Sequence, residues 1–238
     1  MANYKFVGDK GILVEFEKKI ALEVHEQVRK MDAAVNSFLA DKVLETIPSY
    51  HSILVFYDPL EIEVNNLLAE LKQLEKSCSE MSPENQRHLE IPVLYGDEFG
   101  PDLDYVAEYN DLTPEEVIDL HSSQKYRVYM LGFTPGFPYL GGLPERLATP
   151  RRKNPTQKVI AGSVGIAGDQ TGIYPISSPG GWRIIGNTPL SLFVPEAQDP
   201  FLFKPGDIIE FKAINRNCYQ VLSEKTWDED ERKEIEIG

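Results

Sequence analysis

KVIAGSVGIAGDQTGIYPISSPGGWRIIG, Lys158 to Gly186, is the stretch that decides the fold. KVIAGSVGIAG, TGIYPIS and GWRIIG are short β-prone runs punctuated by glycine and proline. Outward from it, YRVYMLGF stands upstream and LSLFV and DIIEFKAI downstream, so turn signals recur about every 8 to 12 residues. That rhythm belongs to a β-barrel or sandwich and not to a parallel sheet. Gly162, Gly165, Gly168 and Gly172 run as GxxGxxG, without the Lys-Ser/Thr of a phosphate loop and without a following helix. They read as tight turns and close strand approach in a small barrel.

Upstream of the barrel-like half the texture differs. Phe6-Val7 and Ile12-Leu13-Val14 flank the turn signal GDKG and read as short strands. Ile20, Val24, Val28, Met31, Val35 and Phe38 recur in steps of four and three along one face of an amphipathic helix. VLETIP and HSILVFY are two further strands, and Leu67, Leu68, Leu71 and Leu74 mark a second helix. The order ββαββα predicts an antiparallel sheet with both helices on one face. SCSEMSPENQRH is polar and aperiodic and marks the boundary. The reading is an α+β protein with an N-terminal domain at 1–80, a linker at 81–88, a barrel at 89–224 and an acidic tail at 225–238. Within the barrel half, HLEIPVLYG predicts a strand, and DLDYVAEY and PEEVIDLHS predict two short helices. Thr113 with Glu116 three residues on, and Pro114 between them, has the form of a capping box.

Composition bounds the partners. The 238 residues carry a formal net charge of −14, with a pI near 4.8. Such a field repels polyanions, so neither nucleic acid nor an anionic membrane surface is an expected partner. No basic-then-apolar leader opens the sequence, and no apolar run approaches the ~20 residues of a membrane span. Cys78 and Cys218, far apart and outside any metal spacing, read as free thiols of a reducing, cytoplasmic compartment.

One region resists periodic reading. GFTPGFPYLGGLPERLATPRR, Gly132 to Arg152, offers neither helix nor strand period. Irregular segments of about twenty residues are uncommon in compact domains and are usually functional or disordered. Phe133, Phe137, Tyr139 and Leu140 argue against disorder. The prolines stiffen the loop enough to present Phe137 or Tyr139 to a ligand or another subunit.

The chemistry nearby is basic and aromatic. Ser163 in AGSVG lacks the GxSxG form, and the histidines show no HxxxH or HxH spacing, so no metal site is expected. His121 ends a helix, where it either satisfies the last carbonyls or serves catalysis. Arg127 and Arg183 lie among apolar neighbours, a setting that suits a buried carboxylate or an anionic ligand. With Arg151, Arg152, Tyr129, Tyr139, Tyr174 and Trp182, they point to a small carboxylate or amide ligand.

YRVYMLGFTPGFPYLGGLPERLATPRR, VIAGSVGIAGDQTGIYPISSPGGWRIIGNTPL and KPGDIIEF together resemble the PxpB/KipI family, which comprises 5-oxoprolinase B subunits. The family is also described as allophanate hydrolase subunit 1 and is related to part of the carboxyltransferase region of urea carboxylase. GDKGILVEF, IPSYHSILVFYDP and IPVLYGDEFGPDLDYVAEYNDLTPEEVIDLHS fit it too, so the resemblance covers nearly all but the acidic tail. It implies an N-terminal α+β domain and a C-terminal cyclophilin-like β-barrel, a shape that does not by itself confer prolyl isomerase chemistry. It implies a component inactive alone, which works with C and A subunits to open 5-oxo-L-proline to L-glutamate. ATP is the cosubstrate, bound at an interface or on another subunit.

In that frame Arg127, Arg183 and Gln170 contact the substrate carboxylate or amide, Tyr174 and Trp182 form walls, and His121 is the proton carrier. The loop residues Phe133, Pro135, Phe137, Pro138, Tyr139, Arg151 and Arg152 cover the pocket or dock the C subunit. The same resemblance allows a KipI-like inhibitor of a sensor histidine kinase in sporulation control, or a component of urea or allophanate metabolism.

Overall fold

A computed structural model describes residues 2–19, 21–77 and 87–225. The chain divides into two compact units, Met1–Gln86 and Arg87–Gly238. Ile20, Cys78, most of the polar linker and the acidic tail from 226 on lie outside the described residues.

In the first unit β1 (Asn3–Val7) and β2 (Gly11–Glu15) form a hairpin, followed by α1 (Leu22–Phe38), β3 (Val43–Pro48), β4 (Ser52–Tyr57) and α2 (Val64–Ser77). The sheet order is β1-β2-β4-β3, antiparallel throughout. Period-two alternation puts Ile12, Val14, Ile53, Val55 and Tyr57 on one face, where they pack on Val28, Met31 and Val35 of α1 and on Leu67 and Leu71 of α2. Phe38, expected on the buried stripe, is 63% exposed, and Leu39 is buried instead. Four residues separate Leu39 from Val35, and that step stays nearer the stripe than a step of three at the helix end.

The second unit opens with β5 (His88–Tyr95), then α3 (Leu103–Tyr109) and α4 (Pro114–Ser122). Thr113 and Glu116 close a reciprocal capping box, and Pro114 starts the helix. There follow β6 (Lys125–Leu131), β7 (Pro138–Gly141), β8 (Thr156–Val159), β9 (Ser163–Ala167), β10 (Gln170–Ile173), β11 (Ser178–Gly180), β12 (Arg183–Asn187), β13 (Ile208–Ala213) and α5 (Arg216–Glu224).

Seven strands close a barrel in the order β10-β7-β6-β13-β5-β12-β9, with β9 pairing back to β10. Only the β13–β5 pair in it is parallel. Ile91, Val93, Val128, Leu140, Ile166, Ile173, Ile185, Ile209 and Phe211 fill the interior, joined by Val106 and Val117 from the helices. β8 and β11 form a separate two-stranded ribbon.

Two sequence expectations shift. Arg87 and His88, read as the end of the linker, belong to the barrel unit. Arg87 donates to Asp207 and to the Leu202 carbonyl, and His88 opens β5. The segment from Gly132 to Arg152 is not irregular throughout. It contains β7, a four-residue strand of the barrel, and a single turn of 3-10 helix at Glu145–Leu147. A strand of that length between proline and glycine is too short to display a period.

Candidate functional site

Alternation along the strands sorts side chains to the two faces of the barrel wall. Val128, Leu140, Ile166 and Ile173 belong to the interior. Tyr139, Gly141, Gly165, Ala167, Gln170 and Gly172 therefore face outward. Register aligns them across the wall: Gly172 lies opposite Tyr139 of β7 and Gly165 of β9, and Gln170 lies opposite Ala167. Gly141 lies opposite Arg127 of β6, which puts Arg127 on the same outer face. One further step of the β10–β7 register brings Gln170 beside Gly141, so Gln170, Gly141 and Arg127 form a row across three strands.

Small residues make this surface a floor on which rings can lie. A Cβ on Gly172 would stand 3.0 Å from the Phe137 ring and 3.0 Å from the Pro138 carbonyl. On that floor Phe137 is the hub of an aromatic cluster, with ring centroids 5.1 Å from Tyr139, 5.2 Å from Tyr174 and 5.4 Å from Trp182. The last two contacts are edge-to-face, the favoured geometry for ring quadrupoles. Phe137, Tyr174 and Trp182 are buried and Tyr139 is half-buried.

Exposed Arg151 stands 5.8 Å from the Trp182 ring centre. Burial pushes the phenols of Tyr139 and Tyr174 up. Against this, the Arg151 charge acts on both, and a hydrogen bond from the Trp182 backbone acts on Tyr174. Both phenols keep their protons at neutral pH. The Tyr174 hydroxyl is buried and held by the Trp182 backbone amide, so the exposed charged group at the edge of the aromatic wall is the Arg151 guanidinium. Flat apolar walls with a few aimed polar groups are what small-ligand sites are made of.

The loop closes over this wall from one side. Phe133, Thr134, Pro135 and Gly136 make the turn between β6 and β7, pinned by bonds from the Gly132 amide to the Phe137 carbonyl and from the Phe137 amide to the Thr134 carbonyl. Pro135 is exposed and Pro138 is buried at the start of β7. Phe133 projects, 64% exposed, with φ +64, a conformation rare for a bulky residue.

Arg183 does not join the aromatic face. It lies opposite Ile166, an interior residue, whereas Ile184 lies opposite outward Gly165. Its guanidinium stacks 3.6 Å from the centre of the Tyr105 ring and donates to Asp102 at 3.3 Å. The buried carboxylate that the sequence suggested for Arg183 is thus Asp102, which is 3% exposed. Arg152 binds the same group through Nε at 3.0 Å and Nη2 at 2.7 Å.

His121 lies on the other side of the wall. It is fully buried, stacked 4.5 Å from the Phe211 ring. Thr171 donates to the Gly165 carbonyl at 3.0 Å, so its oxygen accepts from His121 Nε2 at 2.9 Å. His121 Nδ1 then accepts from the Tyr95 hydroxyl at 2.8 Å. That assignment makes the ring neutral, and burial lowers its pKa to about 3. Both nitrogens are engaged inside the barrel, by Tyr95 and Thr171, on the side of the wall away from the aromatic face. The helix-end alternative fares no better, since the ring turns inward and not to the α4 carbonyls. Instead the His121 carbonyl itself accepts from the Tyr126 hydroxyl.

Asp102 and Tyr105 escaped sequence reading. Asp102 stands at the N-cap position of α3, yet its side chain makes no cap bond. The usable signal was the arginine excess itself, which in an apolar setting calls for a buried acid. Among the described residues no group of His, Cys, Asp and Glu is placed to hold a metal ion, and no helix is long and apolar enough to cross a membrane.

Comparison with known proteins agrees with this architecture. Residues 2–203 match the family model described as carboxyltransferase domain, subdomain C and D. The chain is 43% identical over 234 residues to the 5-oxoprolinase B subunit of Bacillus subtilis, covering 92% of this chain and 96% of that protein. The crystal structure of TTHA0988 superposes with a TM-score of 0.77 at 35% identity over 87% of this chain, which spans 40% of that longer chain. Urea carboxylase of Kluyveromyces lactis shares the fold, with a TM-score of 0.73 at 23% identity over 92% of this chain and 22% of its own. With matches of this extent, the chain belongs to the carboxyltransferase subdomain C and D family, among relatives that include 5-oxoprolinase B subunits.

Proposed function

We propose that the chain is the B subunit of an ATP-dependent 5-oxoprolinase, which opens the lactam of 5-oxo-L-proline to L-glutamate together with A and C subunits. The observation that carries this reading is 43% identity to a 5-oxoprolinase B subunit across nearly its whole length. The outer face supports it with chemistry suited to a small anionic lactam.

An amide in a five-membered ring resists water, because resonance leaves its carbonyl carbon a weak electrophile. ATP, as cosubstrate of the assembled enzyme, supplies a phosphoryl group that activates the carbonyl oxygen. This chain's residues bind and orient. Tyr174 and Trp182 wall the ring, Gln170 and Arg127 lie along the outer row toward the amide, and the 132–137 turn docks the C subunit. No residue of this chain is assigned a proton-transfer role, so the reacting groups come in part from the partners.

The test is ATP-dependent glutamate formation from 5-oxoproline by this chain alone, by the complete A, B and C mixture, and by the partners without this chain. Activity confined to the complete mixture is expected. Equal activity without this chain sinks the reading and brings kinase inhibition, measured as loss of sensor autophosphorylation, to the front.

A further inference from the structure

We propose that Asp102 is a positioning residue: through Arg152 it fixes Arg151 over the Trp182 ring, where the Arg151 guanidinium receives the carboxylate of the substrate. The inference rests on the 5-oxoprolinase reading and adds to it the group that reads the substrate's charge.

Three arginines converge on this end of the barrel, and two have a carboxylate within the chain. Asp102 accepts from Arg152 Nε and Nη2, from Arg183 Nη1 and from the Ile184 amide at 2.8 Å. A carboxylate this deeply buried persists only where charges and hydrogen bonds compensate its lost hydration. Those four donors come from two separate stretches of chain and hold them together. Arg152 is gripped twice, since its backbone amide also donates to the Gly181 carbonyl at 2.8 Å, next to Trp182. On the other side Thr149 exchanges backbone bonds with Gly168 at 3.1 and 2.7 Å. The peptide carrying Arg151 is therefore pinned at both ends.

Arg151 itself meets an aromatic ring and, among the described residues, no carboxylate. Its charge reaches the Tyr139 and Tyr174 phenols, so it lies at the rim of the aromatic wall. 5-Oxoproline matches that spacing in kind. It is a flat five-membered lactam with a carboxylate on the ring carbon beside nitrogen. The ring lies at the rim of the cluster, on half-buried Tyr139 beside the Trp182 edge, and the carboxylate meets the Arg151 guanidinium there. In a chain of net charge −14, an anion needs such a local cation to enter at all.

The experiment uses the reconstituted complex and reads kcat and KM for 5-oxo-L-proline, for ATP, and for 2-pyrrolidinone, which has the same ring without the carboxylate. Arg151→Met is expected to raise KM for 5-oxoproline by about 10- to 100-fold, with kcat within about threefold and KM for ATP unchanged. Its preference for 5-oxoproline over 2-pyrrolidinone narrows in proportion, and Arg151→Lys recovers part of both. Asp102→Asn is expected to shift the same KM in the same direction. Because Asp102 is buried and its replacement puts the fold at risk, Arg152→Met, whose native side chain is 30% exposed, serves as the second route to the same loss.

Wild-type KM and wild-type preference in Arg151→Met overturn the proposal while leaving the 5-oxoprolinase reading intact. A fall in kcat alone in folded Asp102→Asn and Arg152→Met overturns the positioning role. A complete wild-type mixture that forms no glutamate overturns the 5-oxoprolinase reading and this proposal with it.

Discussion

On the inner side of β10, Thr171 meets His121; one residue on, Gly172 lies under Phe137 on the outer side. Both sides gather aromatic rings, hydroxyls and a basic residue. Inside, Tyr95, His121, Thr171 and the Gly165 carbonyl form a chain of hydrogen bonds in which each donor has its acceptor. Outside, Arg151 is exposed, Tyr139 is half-buried, and the guanidinium rests on a ring. The two clusters use similar residues for opposite ends. Polar groups satisfied within the core specify its packing, whereas polar groups held at an apolar wall are available to a ligand.

The contrast breaks first at His121. If the ring is a core element, His121→Ala removes its stacking on Phe211 and leaves the Tyr95 and Thr171 hydroxyls without their partner. A loss of about 3 to 5 kcal/mol is expected, read as a lower urea midpoint for the barrel. Acid tests the same point with a definite sign. The folded ring has a pKa of about 3 against an ordinary 6.5, so protonation favours the unfolded chain. Its stabilising contribution is complete above pH 6.5 and declines steadily as pH falls toward about 3. In His121→Gln that part of the pH slope disappears, while the shared carboxylate contributions remain. An unchanged slope would place the imidazole in a more hydrated setting than the interior.

On the outer side, Gly172→Ala sharpens the comparison without removing any polar group. The added methyl meets both the Phe137 ring and the Pro138 carbonyl at 3.0 Å, and backbone gives less readily than a side-chain end. Displacing the hub of the aromatic cluster is expected to lower stability by about 1 to 3 kcal/mol. Activity of the reconstituted complex falls with it, and weaker packing of Phe137 on Trp182 appears as a shift in tryptophan emission. A fully active, equally stable Gly172→Ala would show that the rings do not rely on the glycine floor.

These two neighbours also mark where sequence reading ends. The capping box at Thr113 and Glu116 is legible because every residue in it is local. The barrel is legible in its punctuation, since short strands and glycine turns repeat. Which way Thr171 and Gly172 point depends on register, and register is set by pairing with β7 and β9, far away in the sequence. For the same reason His121 reads from sequence as a candidate catalyst, and Asp102 attracts no reading at all. Arg127, Gln170, Tyr174 and Trp182 form one group in the sequence, and the structure does place all four on one outer surface or at its aromatic wall. Arg183 leaves that group because one residue's difference in register turns it to Asp102.

A milder change probes the wall's chemistry. Tyr139→Phe keeps the ring with its contacts to Phe137 and Trp182 and removes the half-buried hydroxyl, so stability should fall by no more than about 1 kcal/mol. The expected loss is about tenfold in kcat/KM for 5-oxoproline, the worth of one well-aimed hydrogen bond to substrate. If kcat/KM is unchanged, the phenol is part of the wall and not of recognition.

The smallest expected effect on stability has the opposite sign. Phe133 is exposed and held at φ +64, which costs a non-glycine residue about 1 kcal/mol or more. Phe133→Gly removes that strain, offset in part by the greater freedom of glycine in the unfolded chain, and a net gain of about 0.5 kcal/mol is expected in the isolated chain. An exposed ring retained against such strain fits a surface where a partner covers it. In the complex the same substitution should therefore weaken binding of the C subunit several-fold, measured by titration calorimetry. A chain that is stabilised yet binds more weakly would tie the strain to assembly. One that is stabilised and binds as before would remove the 132–137 turn from the docking surface and leave the aromatic wall to carry the function alone.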